Sequence, residues 1–304
     1  MGFDSNGVKL LIKAKKLNVN FEKVITIGRQ GLHLEHNEMQ KLLYKSGYKN
    51  INSKILFEDN NYAEAFLKIL GANIIDSLDA SQYEGASVIH DMNIPIKSEL
   101  KSKYTLVIDG GSLEHIFNFP IAIKNCMELI QKNGFYIGIT PTNNFFGHGF
   151  YQFSPELYYR IFNEENGFKV IKMYLYIERK ETPIYEVLDP NDVKKRITMI
   201  NSYPTYLFVI AQKNENKNPF ELTPQQSDYE QIRWKEDSSI NYTKNLEKIR
   251  WYKRIIPLTL KILTVKLYFK IINSLKLHNP SGISNSKFIT KIKFTYKEKK
   301  VSIK

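Results

Sequence analysis

The sequence predicts an α/β fold, a seven-stranded and mostly parallel sheet with helices on both faces, followed by a basic C-terminal helical extension. Three observations carry this. Tyr104–Pro141 reads as strand, loop, helix, turn and strand, the crossover unit of a parallel sheet. An earlier β-branched run, Lys23–Gly28, ends in Gly28-Arg29-Gln30-Gly31. Three later apolar runs end in Asp79, Asp91 and Asp109. Open α/β sheets bind ligands at the carboxyl edge of their strands, so these ends mark the expected site.

Within the crossover unit, Leu106-Val107-Ile108 leads into Asp109-Gly110-Gly111 and the polar patch Ser112-Leu113-Glu114-His115. A helical pattern over Ile121–Ile130 closes at Asn133-Gly134, and a second strand, Phe135–Ile139, ends at Thr140-Pro141. Upstream, Val8–Leu17 is a short amphipathic helix with lysines on its outer face. Leu34–Ser46 and Tyr62–Leu70 read as helices, separated by a polar connection at 47–61. Asn73–Leu78 and Gly85–His90 are the second and third strands.

Downstream, Ser154-Pro155-Glu156 is a helix start, with Ser154 as N-cap and Pro155 in the first turn. Gly167–Tyr176 and Thr205–Gln212 are the last two strands, expected as an antiparallel pair at the sheet edge. Between them lies a polar stretch with a short helix at Asn191–Ile200. This organisation gives a domain over 1–212, a linker over 213–240 rich in Asn, Gln, Pro and Glu, and an extension over 241–304.

The net charge of +13 is concentrated in that extension. Residues 241–304 hold 16 Lys and Arg against Glu247 and Glu298, a balance of +14 that leaves −1 for residues 1–240. A near-neutral domain argues against a nucleic-acid partner, which would want a basic stripe on the fold. Residues 250–275 are apolar but carry Arg250, Lys253 and Arg254 at their start and Lys261, Lys266 and Lys270 within. That is a poor membrane span and a better interfacial helix on an anionic surface. A docked helix with snorkelling lysines is the alternative. The start of the chain shows no apolar signal segment, and the expected location is cytoplasmic, peripheral to the inner face of the membrane. The single cysteine, Cys126, falls on the apolar face of its helix and reads as core.

Chemistry is expected at the strand ends. Gly28 permits a tight turn and close backbone approach, although the pattern G-x-G-x-x-G is absent. A carboxylate at Asp79 can accept both hydroxyl protons of a ribose, or simply cap a turn. Polar groups after the third strand can reach an adenine edge. Glu114 either faces the pocket or caps the following helix, with His115 beside it. Gly147-His148-Gly149 sits where a lid or acceptor loop belongs, and Phe150, Tyr151 and Phe153 can stack on a ring or anchor the loop. A Glu114/His115/His148 metal site is conceivable, but no spacing specifies it, and no metal is assigned.

The order of parts resembles the class I S-adenosylmethionine-dependent methyltransferases, which have a Rossmann-like sheet. More narrowly it is similar to methyltransferase-like proteins of bacterial surface-glycan gene clusters. The shared phrases are TIGRQ, SLDAS-YEGA, HDMN-PI, IDGGSLEHIFN and GHGFYQFSPEL, and the likeness covers Val8–Gln212. It implies S-adenosylmethionine as cofactor. Gly28 and Gly31 would frame its methionine end, with Arg29 at the methionine carboxylate. Asp79 would take the ribose, Asp91 and Met92 would border the adenine, and Asp109 would lie beside the methionine moiety. Glu114, His115 and His148 are the catalytic candidates. The implied activity is O-methylation of a small molecule or glycan precursor. The alternative is a binding or scaffold protein of this fold that no longer transfers methyl, which the altered glycine loop favours. The retained acids and Glu114-His115 favour the enzyme. DNA amino-methyltransferases carry an Asn/Asp-Pro-Pro-aromatic tetrad after the fourth strand, and Asp109-Gly110-Gly111-Ser112 does not match it.

Overall fold

The computed structural model describes residues 2–178, 182–193, 199, 201–227 and 289–291. The elements in chain order are β1 (Gly2–Phe3), α1 (Ser5–Lys16), β2 (Lys23–Ile27), β3 (Gly31–Leu32), α2 (His36–Lys45), α3 (Glu64–Ile69), β4 (Ile74–Asp79), β5 (Val88–Ile89), β6 (Tyr104–Asp109), α4 (Phe119–Leu129), β7 (Ile130–Asn143), α5 (Pro155–Ile161), β8 (Phe168–Ile177), β9 (Tyr185–Val187), α6 (Pro190–Val193), β10 (Thr205–Lys213) and β11 (Ile289–Lys291).

The main sheet runs β11-β9-β8-β10-β7-β6-β2-β4-β5. Its centre, β5-β4-β2-β6-β7, is parallel throughout. Strand β10 inserts antiparallel between β7 and β8. The expected pair β8/β10 is therefore antiparallel, but it does not end the sheet, because β9 and β11 add beyond β8. The main sheet has nine described strands instead of the seven expected, and β1 and β3 form a separate two-stranded sheet. The two extra strands have three residues each and lie in polar or basic stretches. A short segment with no apolar run leaves little periodic signal, and an open sheet edge recruits it through backbone hydrogen bonds.

Side-chain alternation divides the core into two layers. Ile25, Ile27, Val107 and Tyr136 point to the face covered by α4 and α5, where Ile123, Cys126, Met127, Tyr158 and Phe162 pack. Val24, Leu106, Ile108 and Ile137 point to the other, covered by Leu10, Leu11, Met39, Leu43 and Phe66 of α1, α2 and α3. Cys126 is buried in the first layer.

Three boundaries moved. Helix α1 begins at Ser5 instead of Val8, because the Asp4 carboxylate accepts the Gly7 N–H at 2.7 Å and caps it. Helix α4 stops at Leu129 and β7 starts at once, so Asn133-Gly134 does not cap the helix. Asn133 instead takes φ 64°, and the pairing jumps from Tyr104↔Ile130 to Leu106↔Phe135, a bulge. The linker is also docked at its start. Buried Lys213 donates to the carbonyls of Met127 and Ile130 at 3.2 and 2.8 Å, Phe220 N–H to Asn166 Oδ1 at 2.8 Å, and Ser227 N–H to Glu156 Oε1 at 2.7 Å. Residues 250–275, with their expected membrane contact, lie outside the described residues. Among the described residues no helix is long and apolar enough to cross a membrane.

One buried amide ties the sheet edge to α4. Asn125 Oδ1 accepts the Ile96 N–H at 2.8 Å, and its Nδ2 donates to the carbonyls of Ile94 and Met92 at 2.7 and 3.3 Å. Asn125→Ala leaves these backbone groups unpaired in a buried setting. It is expected to cost about 3 kcal/mol, to be read from the urea midpoint at unchanged m-value.

Candidate functional site at the carboxyl edge of the sheet

The parallel register brings the ends of β2, β4 and β6 side by side. Ile27 pairs with Leu78 on one side and with Asp109 on the other. Gly28 follows at φ 70°, a left-handed turn that glycine adopts without penalty, and its N–H donates to the Leu78 carbonyl at 2.7 Å. The sequence placed Gly28 and Gly31 together in one loop, but the structure separates them. Gly31 lies in β3, paired in parallel with Gly2 of β1.

This end of the crevice is filled. Gln30 donates Nε2 to the Ile27 and Gly28 carbonyls at 2.7 and 3.2 Å, and its buried Oε1 has no partner. A Cβ on Gly110 would lie 2.1 Å from that Oε1 and 3.0 Å from Phe3. The Gly2 N–H donates to the Gly110 carbonyl at 3.2 Å. Arg29 turns away from the crevice. Its guanidinium pairs with Glu64 at 2.6 Å and Asp59 at 3.0 Å, donates to the Glu84 carbonyl at 3.1 Å and lies 3.7 Å over the Tyr62 ring. It braces the inserted connection, a task that explains an arginine here in structural terms.

Asp79 is half-buried at the end of β4, and its Oδ1 accepts the Ser81 N–H at 3.1 Å. Its other oxygen has no partner among the described residues. Asp91 is exposed and takes both the backbone and side-chain N–H of Asn93, which hold its carboxyl below the usual range. Met92 is buried against Asn125 in the core. Asp91 and Met92 therefore shape the loop after β5 but do not present an open adenine edge side by side.

Asp109 is not at an open mouth. It is fully buried, and its Oδ1 accepts the N–H groups of Ser112 and Leu113 at 2.8 and 3.3 Å, fixing the turn Leu113–His115. Its Oδ2 makes no hydrogen bond of full geometry, but the buried Tyr136 hydroxyl faces this carboxyl. Burial pushes its carboxyl well above the ordinary range. Glu114, 1% exposed, is raised by burial and by the nearby Asp109 charge, and its Oε2 has no hydrogen-bond partner. His115 is exposed, with its pKa lowered by partial burial and then by His148.

The loop after β7 comes over these groups. The Phe150 N–H donates to the Glu114 carbonyl at 2.7 Å, and His148 N–H closes a turn on the Phe145 carbonyl at 3.1 Å. Gly149 has φ 67°, and a Cβ there would meet the Glu114 carbonyl oxygen at 2.8 Å. Asn144 anchors the far side by donating to the Asn201 and Tyr203 carbonyls at 3.0 and 2.8 Å. His148 Nε2 ends 3.7 Å from Glu114 Oε1, and its ring lies edge-on to His115 with centroids 4.8 Å apart.

All three catalytic candidates thus converge: the adjacency of Glu114 and His115 is local, and the loop after β7 brings His148 to them. The aromatic expectations divide. Phe153 is buried against Phe119 and serves as an anchor, and Tyr151 donates its hydroxyl to the Phe117 carbonyl at 2.7 Å. Phe150 is 63% exposed and is joined by Phe117 and Phe146, at 72% and 102%. The last two were not singled out from the sequence. Their signal was an aromatic residue next to a polar motif, which does not by itself distinguish rim from core.

No family model matches the chain, and no curated protein does. Solved structures resemble it at low identity. The 1,6-didemethyltoxoflavin-N1-methyltransferase of Burkholderia thailandensis, solved with 1,6-didemethyltoxoflavin and S-adenosylhomocysteine, is 10% identical, with 69% of this chain and 78% of that one covered and a TM-score of 0.39. A SAM-dependent methyltransferase of Thermotoga maritima is 12% identical over 69% of this chain and 91% of that one, also at 0.39. The YcgJ protein of Bacillus subtilis is 10% identical over 69% and 98%, at 0.36. Likeness at this level leaves function to the site itself.

Proposed function

We propose that the chain is an S-adenosylmethionine-dependent methyltransferase acting on a hydroxyl of a small molecule or glycan precursor. The observation that carries this reading is the set of acceptor oxygens without a full hydrogen bond at one sheet edge: Gln30 Oε1, Asp109 Oδ2 and Glu114 Oε2, with the open oxygen of Asp79 one strand away. Buried acceptors without donors are costly, and a ligand carrying a cationic amino group and a ribose would satisfy them. S-adenosylmethionine has both, and would supply an electrophilic methyl group on its sulfonium.

The residues divide the remaining work. Asp79 accepts the ribose hydroxyls. Gln30 and Asp109 offer oxygens to the amino group, and β1 with Gln30 must draw back from Gly110 to admit it. His115 takes the proton of the acceptor hydroxyl, with His148 and Glu114 orienting that hydroxyl. Phe117, Phe146 and Phe150 cover the acceptor's apolar or sugar face and keep water out.

The test is titration calorimetry with S-adenosylmethionine and S-adenosylhomocysteine. The wild type is expected to bind both, and Asp79→Ala to weaken them about 30-fold or more, the loss of a charge-assisted hydrogen-bonded pair worth roughly 2 kcal/mol. Folded protein that binds neither overturns the reading.

A further inference from the structure

We infer that Glu114, His115 and His148 form a binding site for one divalent first-row transition metal ion. One ligand atom from each lies within 4.8 Å of the others. Two imidazoles and one carboxylate suit zinc, cobalt, nickel or iron(II) and not magnesium or calcium, which take oxygen ligands. The carboxylate is the telling member. Glu114 is 1% exposed, yet its Oε2 has no hydrogen-bond partner, and its Oε1 faces His148 at 3.7 Å. A buried carboxyl of this kind is held as the neutral acid until a cation arrives to compensate its charge. Here the two imidazoles face it, with no lysine or arginine paired to it among the described residues.

The fold also supplies the closing movement. Ligand atoms about 2.1 Å from a tetrahedral ion stand about 3.4 Å apart. His148 stands 3.7 Å from Glu114, and no pair of ligand atoms is more than 4.8 Å apart, so the three side chains must close by up to about 1.4 Å. His148 sits between Gly147, which has open space around it, and Gly149, whose φ of 67° holds the loop against the Glu114 carbonyl. His115 is fixed from the opposite side by the turn that Asp109 caps.

Three protein ligands leave one or more coordination positions free. The exposed rings of Phe117 and Phe150, 5.7 Å apart, belong to residues two positions beyond His115 and His148. An acceptor hydroxyl bound to the ion would ionise more readily and release its proton to solvent, so the ion would take over the role given above to His115. That use of the ion rests on the methyltransferase reading; the binding of the ion does not.

The experiment uses the untagged full chain, stripped with EDTA and titrated with cobalt(II) followed by its visible absorption, without methyl donor or acceptor. One equivalent is expected to bind, to be displaced by zinc and to be unaffected by a hundredfold excess of magnesium. His148→Ala, on an exposed loop, and His115→Ala should each weaken binding at least 30-fold at an unchanged unfolding temperature. No saturable binding overturns the proposal, as does wild-type affinity in both variants or displacement by magnesium. Because no donor is present, these outcomes are independent of the calorimetry on Asp79→Ala.

Discussion

Asp109→Asn is expected to stabilise the protein at pH 8 and to lessen the fall of its stability between pH 4 and pH 7, the remaining slope being that of Glu114. Asp109 is fully buried beside another buried carboxylate, Glu114, and its pKa is raised from 3.8 to about 7, chiefly by loss of hydration. Between those values the folded chain keeps a proton that the unfolded chain has released. The folded state binds more protons, so this group's contribution to stability falls as pH rises through the window and is constant above it. Asparagine keeps an oxygen for the N–H groups of Ser112 and Leu113 and puts a neutral N–H2 in place of Oδ2, beside the Tyr136 hydroxyl, which can accept from it. Removing an uncompensated buried charge is worth about 1–4 kcal/mol. Thermal or urea unfolding of both proteins from pH 4 to pH 8.5 measures the difference. Equal curves for the two would show that Asp109 does not carry the buried charge.

Gly149→Ala is expected to separate His148 from Glu114 while the fold survives. The added Cβ would stand 2.8 Å from the Glu114 carbonyl oxygen, on a residue at φ 67°. Backbone does not yield as a side-chain end does, so the loop must lift, and the Phe150 N–H bond to Glu114 is lost with it. The stability loss is about 1–2 kcal/mol for one strained residue and one hydrogen bond. The loss at the site is larger, on the order of 100-fold in ligand affinity or rate, because an ångström of misplacement is costly there. Gly147→Ala is the control: nothing lies within 4 Å of its Cβ, and stability should hold within about 0.5 kcal/mol. Crystallography of Gly149→Ala would locate the loop directly. A variant with His148 still 3.7 Å from Glu114 would contradict the steric account.

How far the sequence reaches depends on the range of the interaction that decides each feature. The parallel centre was legible because its strands are buried on both faces and read as apolar runs, with helical periods between them. Asp79 and Asp109 at strand ends, and the adjacency of Glu114 and His115, follow from local order and survive in the structure. The extra strands β9 and β11 were not legible, since three residues each, in polar or basic surroundings, are too short to show a strand period.

The condition of each site residue was settled only in three dimensions. Arg29 looked like a cofactor residue until Asp59 and Glu64, brought close by the inserted connection, engaged it. Asp109 looked open, but the turn it caps folds over it and removes it from water. His148 is 33 positions after His115 in the chain, and the loop's tertiary contacts, among them the hydrogen bond from Phe150 to the Glu114 carbonyl, set the two rings 4.8 Å apart. Periodicity along a chain reports which residues face a core. It does not report which charges meet across one, because burial and pairing are properties of residues distant in sequence.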